Sequence, residues 1–446
     1  MIPELRSPTP EEWREQVRAE RRSPVPLLDG ASAGPLGAWF ELPVSAATVV
    51  STILDDVLRD GDAAVRLWTQ RLDGVDVAVT RVPAGALARA WESTDPGVRG
   101  AIAAAAARIR EIHERQRDIA LRGIASAHLR PLPLRRAGCY VPGGRAAYPS
   151  TVLMNVIPAQ IAGVSEIALV SPPGPDGSVH PLVLASAHHL GVSEVHAVGG
   201  AQAVGALAYG TASIAQVDKI TGPGNLFVTL AKRAIFGEVG IDGVAGPSEI
   251  VVIASDGADP VLVAADLVSQ LEHDPLAWAV CLTDSASLAQ GVRAAFSEQA
   301  AEAARSGIIA AASGRHGAVV VTAGLEEARL LADEFAAEHL SLQGRAAEAL
   351  RDAPHTASAV FVGRRSPVSM GDYVAGPNHT LPTGGAARHR GPLSVMDFQR
   401  WQSVVDLTGE EFDTLAPVAC TLAAAEGLLG HERAIRLRMD DRHAHE

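Results

Sequence analysis

The chain has 446 residues, is 47% hydrophobic and 20% charged, and carries a net charge of −13, which is apolar content enough for two or more cores. The acidic balance, without clusters of Lys and Arg, argues against nucleic acid as a partner, and no run of about 18 apolar residues is present to span a bilayer. Three widely spaced cysteines (Cys139, Cys281, Cys420), no CxxC pair, and an N-terminus without an apolar stretch behind a basic start point to a cytoplasmic protein with no signal peptide. Of 38 basic residues only Lys219 and Lys232 are lysines, which reads as codon bias.

Thr9-Pro10-Glu11-Glu12 predicts a helix start: Thr9 caps, Pro10 fits the first turn and Glu12 completes a capping box. That helix ends near Arg22, and a linker with Pro and Gly follows over 23–37. Residues 1–35 therefore read as an arm outside the main core. Residues 45–125 are helical in pattern, with the Ala-rich stretch Val98–Arg122 a long helix by propensity. LRRAGCYVPGG (134–144) is β-like. Strands then alternate with helices: EIALVSPP (166–173), helix 182–192, EVHAVGG (194–200), helix 201–210 and VDKITGPGN (217–225). A second alternating unit follows. Its strands are 249–255, 277–284, 317–323 and 357–363; its helices are 260–274 and the helix-to-strand run 325–342. The rhythm is that of parallel, doubly wound α/β units, which bind ligands where strands hand over to loops. No full GxGxxG is present; the turns at 199–202 and 222–225 stand where a dinucleotide would bind but lack the fingerprint's spacing. The C-terminal 414–438 is helical, and the tail DDRHAHE, with His443 and His445, reads as solvated.

Several islands carry candidate chemistry. In PVLVAADLVSQLEHD (260–274), Gln270 and His273 fall one helical turn apart, so an amide oxygen and an imidazole nitrogen can converge on one ion. AGPSE (245–249) presents Ser248 on a turn before a strand. AAEHLSL (336–342) sets Glu338 beside His339 where a helix gives way to a strand, a combination suited to acid–base work. The loop-like GDYVAGPNHTLPT (371–383) carries Asp372, a hard oxygen ligand, with Asn378 and His379. In LAAAEGLLGHERA (422–434), Glu426 and His431 would not share a face of a straight helix, with Gly430 ending or loosening it between them. Each island alone has a bland alternative: a solvated pair, a turn serine, a core histidine, an Asx turn. Together they supply Gln, His, Asp and His as a nitrogen/oxygen set for an open zinc site, with a Glu-His pair and a Ser nearby.

From about residue 40 to 438 the sequence resembles the histidinol dehydrogenase family. The resemblance rests on eight segments in one order: 139–164, VGGAQAVGALAYGT (198–211), VDKITGPGN, AGPSE, SQLEHD (269–274), AEHL (337–340), GDYVAGPNHTLPT and AAAEGLLGH (423–431). It implies oxidation of L-histidinol to L-histidinaldehyde and then to L-histidine, with two NAD and one zinc ion per subunit. By motif, Gln270, His273, Asp372 and His431 match zinc ligands, and Tyr140, Gln202 and Asn225 match NAD contacts. Ser248, His339, His379 and Glu426 match substrate contacts, with the zinc ligands also lying against substrate, and Glu338 and His339 match the acid–base pair. The implied fold is two incomplete Rossmann-like parallel-sheet domains with small helical arms, in an intertwined homodimer. The corresponding boundaries are an arm at 1–35, a first α/β domain of 36–139 and 248–393, an NAD-contacting domain of 140–247, and a C-terminal domain of 394–446. Glu426 and His431 would come from the neighbouring chain. Ala337 departs from the family, where Pro is usual, as do Gly243-Val244, Pro377 and 390–394; none removes a candidate side chain. The alternatives are a same-fold dehydrogenase of another polar primary alcohol, a zinc hydrolase using Glu338 as base, and a non-catalytic scaffold.

Overall fold

The protein is described here by a computed structural model covering residues 4–21, 27–29, 34–121, 129–143 and 147–440. Gly144, most of the 23–37 linker, Arg122 and the tail bearing His443 and His445 lie outside the described residues.

Ten strands form two five-stranded sheets. The first holds β1 (Arg136–Tyr140), β2 (Glu166–Ser171), β3 (Glu194–Ala197), β4 (Lys219–Thr221) and β5 (Gly240–Ile241). The second holds β6 (Glu249–Ala254), β7 (Trp278–Thr283), β8 (Gly317–Val321), β9 (His339–Gln343) and β10 (Ala359–Val362). The orders are β3-β2-β1-β4-β5 and β8-β7-β6-β9-β10, with every described pairing parallel. Each is the dinucleotide-fold order without its sixth strand, and each reverses direction beside its first strand.

Both faces of each sheet are covered, which is why the strands are unbroken apolar runs. On the first sheet, Tyr140, Ala168 and Val170 face helices Ala46–Asp60, Asp62–Asp73, Gly200–Tyr209 and Leu226–Ile235. Cys139 and Leu169, one residue out of step, face Ala84–Ser93, Pro149–Ala162 and Pro181–His189. On the second, Ile250 and Val252 face Pro260–Leu271, Ala286–Glu302 and Ser306–His316. Val251 and Ile253 face Leu325–Phe335 and the N-terminal helix Pro10–Arg21.

Two expectations are corrected by this packing. The N-terminal segment is not outside the core. Its capping box forms as read, with Thr9 N–H on Glu12 Oε2 at 2.8 Å, but Trp13 is 2% exposed and stacks on Phe335 at 5.5 Å. Arg6 bridges to Ala318 at the edge of the second sheet. Residues 46–93 do not join 248–393, either; they supply both faces of the first sheet, whose own first strand begins at Arg136. Periodicity tells a helix which side to bury, not which sheet to bury it against.

Residues 120–132 and 400–446 form a separate unit. Its helix Gly409–Ala425 starts with a Thr408–Glu411 capping box and ends at Glu426, where Gly427 turns left-handed at φ 74°. The next helix, Leu429–Asp440, contains Gly430. The break therefore falls at Gly427, where Leu428 N–H closes back on Ala423 O at 2.8 Å, and not at Gly430.

Candidate active site

The N-terminal ends of β6 and β9 lie side by side, with His339 level with Ile250. One residue between them, Glu249, holds both members of the Glu-His pair through its backbone. Its N–H donates to Glu338 Oε2 at 2.9 Å, and its carbonyl lies 3.1 Å from His339 Nδ1. A carbonyl only accepts, so Nδ1 carries the proton and Nε2 keeps the free lone pair. Burial pushes His339 down to about 3, helped by His273 and His379 and opposed by that carbonyl. The imidazole is therefore neutral, and its 3.6 Å approach to Glu338 is not an ion pair. Burial also drives the Glu338 carboxyl well above its ordinary range, with Glu249 and Asp372 adding to the rise.

Gln270 sits in the last turn of Pro260–Leu271, which Asp259 caps and whose Val263, Leu267 and Leu271 seal onto the sheet. The helix stops at Leu271, so His273 is not on it; the His273 N–H closes a turn onto Gln270 O at 3.3 Å. The expected one-turn spacing survives through this turn. Asp372 is on a short helix, Val368–Tyr373, and not in a loop. Its carbonyl lies 2.8 Å from His379 Nδ1, again leaving Nε2 free. Asn378 pins this segment to Met154 O at 2.6 Å, and Thr383 ties it to Gly246 ahead of Ser248. Gly384 N–H reaches Glu249 Oε1 at 3.1 Å.

His273 acts on both His339 and His379, His379 acts on His339, and Asp372 acts on Glu338, 3.6 Å from His339, so these five side chains share one electrostatic environment. Burial lowers His273, takes His379 to about 4 and raises Asp372 to about 6. Neutral imidazoles beside a buried carboxylate that has no ion-pair partner among the described residues are a donor set suited to a divalent metal. Among the described residues no three His, Cys, Asp or Glu already form a metal cage. Glu426 and His431, in the separate unit, are both exposed, the first capping the C-terminus of Gly409–Ala425 and the second in Leu429–Asp440.

The other cluster lies at the C-terminal edge of the first sheet, where its strand order reverses between β1 and β4. Tyr140 is buried, and its hydroxyl takes the Gly200 N–H at 3.1 Å. Gln202, in the first turn of the next helix, is 0% exposed, and neither polar atom of its amide has a partner. Asn225 caps Leu226–Ile235 by accepting from Phe227 and Val228 N–H at 3.0 and 3.1 Å. Two helix N-termini, one tied to Tyr140 through the Gly200 N–H, and an unanswered amide thus stand at the C-terminal edge of this sheet, an arrangement that fits a pyrophosphate-bearing cofactor. Sequence reasoning missed Glu249, whose signal was a carboxylate opening the apolar strand EIVVIA, and it dismissed Lys232.

A family model described as histidinol dehydrogenase matches residues 43–439. The histidinol dehydrogenase of Parasynechococcus marenigrum is 48% identical over 394 residues, covering 87% of this chain and 90% of the relative. That of Bacillus subtilis is 44% identical over 398 residues, covering 87% and 92%. A crystal structure of histidinol dehydrogenase from Elizabethkingia anophelis superposes with a TM-score of 0.86 at 30% identity, covering 98% and 99% of the two chains.

Proposed function

The chain belongs to the histidinol dehydrogenase family, an oxidoreductase of histidine biosynthesis, and from that premise we propose that it oxidises L-histidinol through L-histidinaldehyde to L-histidine. Family membership disfavours the hydrolase and scaffold alternatives. When bound, zinc supplies the charge that grips the substrate's nitrogens, and NAD supplies the hydride acceptor. Gln270, His273 and Asp372 of one chain, with His431 of a second copy, would hold the zinc and against it the substrate. Tyr140, Gln202 and Asn225 would seat NAD; Ser248, His379 and Glu426 would orient histidinol.

The observation that carries this reading is the Glu249 carbonyl on His339 Nδ1. It leaves the lone pair on Nε2 of a neutral imidazole, free to take the alcohol proton. Glu338, held by the same residue, would then activate the water that adds to the aldehyde. Keeping both steps in one buried site spares the aldehyde from escape.

The C-terminal unit supports a homodimer: Leu415, Val418, Leu422 and Leu429 are all exposed, the last at 68%. An apolar surface of this kind is covered by a second copy, which would also carry Glu426 and His431 across the interface. Buried, free cysteines suit a reducing cytoplasm. The test is the number of NADH formed per L-histidinol by the purified, zinc-loaded enzyme. Two supports the full sequence; one leaves the aldehyde as product and removes the role given to Glu338; none refutes the proposal.

A further inference from the structure

We propose that Lys232 and Asp242 are positioning residues for the dinucleotide: a buried ion pair that fixes the backbone of Gly222, and through it the 222–225 turn. The proposal rests on the reading that NAD binds at this edge of the first sheet. Gly222 follows β4 directly at the switch point. Its φ is +112°, and a Cβ there would lie 2.0 Å from the Tyr140 carbonyl oxygen, so no side chain fits. Both backbone polar groups of this glycine are claimed by one pair. Lys232 Nζ donates to Gly222 O at 2.9 Å, Asp242 Oδ2 accepts the Gly222 N–H at 2.7 Å, and Lys232 Nζ also bonds Asp242 Oδ1. Three residues on stands Asn225, the helix cap, and at the same edge of the sheet Gln202, in the first turn after β3, has an unpartnered amide.

The composition of the chain gives this lysine weight. Arginine fills all but two of 38 basic positions, yet position 232 keeps lysine. The site is 3% exposed and closed around a point charge. An ammonium fits between a carbonyl and a carboxylate there, whereas a planar guanidinium fork would push one of them away. Codon usage has no part in that requirement. A buried ion pair is also a poor source of stability, because desolvation roughly cancels attraction; its benefit is geometric. Removing one partner strands a charge, while neutralising both restores folding without restoring the geometry.

That difference supplies the test. NAD binding to the whole zinc-loaded enzyme is measured by titration calorimetry, alongside zinc content, thermal midpoint and L-histidinol affinity. Lys232→Arg, which keeps the charge, is expected to raise the NAD Kd by about tenfold or more with zinc content and histidinol Kd unchanged. The double variant Lys232→Met/Asp242→Asn is expected to recover most of the thermal midpoint lost in Lys232→Met yet still bind NAD weakly. Should the lysine variants not fold, Asp242→Asn alone carries the test, since it keeps the shape and is expected to weaken NAD several-fold. Wild-type NAD affinity in Lys232→Arg and the double variant, or in Asp242→Asn where that one decides, overturns the proposal alone. A wild-type enzyme that binds no NAD overturns the cofactor reading, and the proposal with it.

Discussion

His339→Asn separates the base from its anchor. In the wild-type chain Nδ1 is engaged by the Glu249 carbonyl at 3.1 Å, so Nε2 is the one ring nitrogen able to take a proton. An asparagine amide reaches about as far as the near edge of the ring and can go on donating to that carbonyl. What disappears is the lone pair. Positioned general bases contribute roughly 10²–10⁴-fold, and at about 1.36 kcal/mol per tenfold the loss is about 3–5 kcal/mol of transition-state stabilisation. His339 is buried at the start of β9, where water replaces a missing base poorly, so the upper half of that range is expected. The assay is rapid-mixing NADH formation from L-histidinol, with zinc content and NAD affinity measured on the same preparation. Turnover within about threefold of wild type, or loss of zinc from the variant, refutes the assignment: the first would show the proton leaves by another route, the second that His339 is a ligand.

Mixing two variants each unable to form L-histidine, Glu338→Gln and His431→Ala, should after subunit exchange restore about a quarter of the wild-type rate of L-histidine formation, because half the sites in a mixed dimer are then intact; no recovery means that each chain builds its site alone. Trp13→Ala removes a ring stacked between the N-terminal helix and Phe335 and should destabilise the protein by about 3–5 kcal/mol, read by denaturant unfolding; a loss under about 1 kcal/mol would mean the helix is not seated there. Burial lifts the Glu249 carboxyl to about 7, against the opposing pull of Arg21. A raised acid binds its proton more tightly in the folded state, so its contribution is best at low pH and declines as pH rises from about 4.5 to about 7. Against wild type, Glu249→Gln should therefore gain about 3 kcal/mol across that window at about 1.36 kcal/mol per unit, and parallel curves of thermal midpoint against pH for the two proteins would exclude it.

The alternating units were legible because strands buried on both faces, such as EIVVIA and WAVCLT, spell themselves as continuous apolar runs. The candidate side chains were legible from their motifs, and the structure brings His273, His339, His379, Glu338 and Asp372 into one environment. Long-range partnership was not. Helix Ala46–Asp60 carries the same amphipathic signal whichever sheet it covers, and its choice of the first sheet depends on shape matched far along the chain. The N-terminal helix has only Trp13 and Val17 to bury, and it is docked as well by Arg14 and Arg18 on Glu334 and by Arg21 on the Phe335 carbonyl, partners far along the chain. The roles of Glu249 and Gly222 were hidden for a different reason: it is their N–H and C=O groups that act, and the main chain carries no letter.

The Glu249 peptide groups make the chemistry a gauge of strand alignment. A slip of one residue between β6 and β9 would turn His339 to the opposite face and leave both side chains without their anchor, while nearly all helical content stayed in place. Recovered turnover during refolding would accordingly clock the zipping of these two central strands, a step that far-ultraviolet dichroism, dominated by the helices, would pass over in silence.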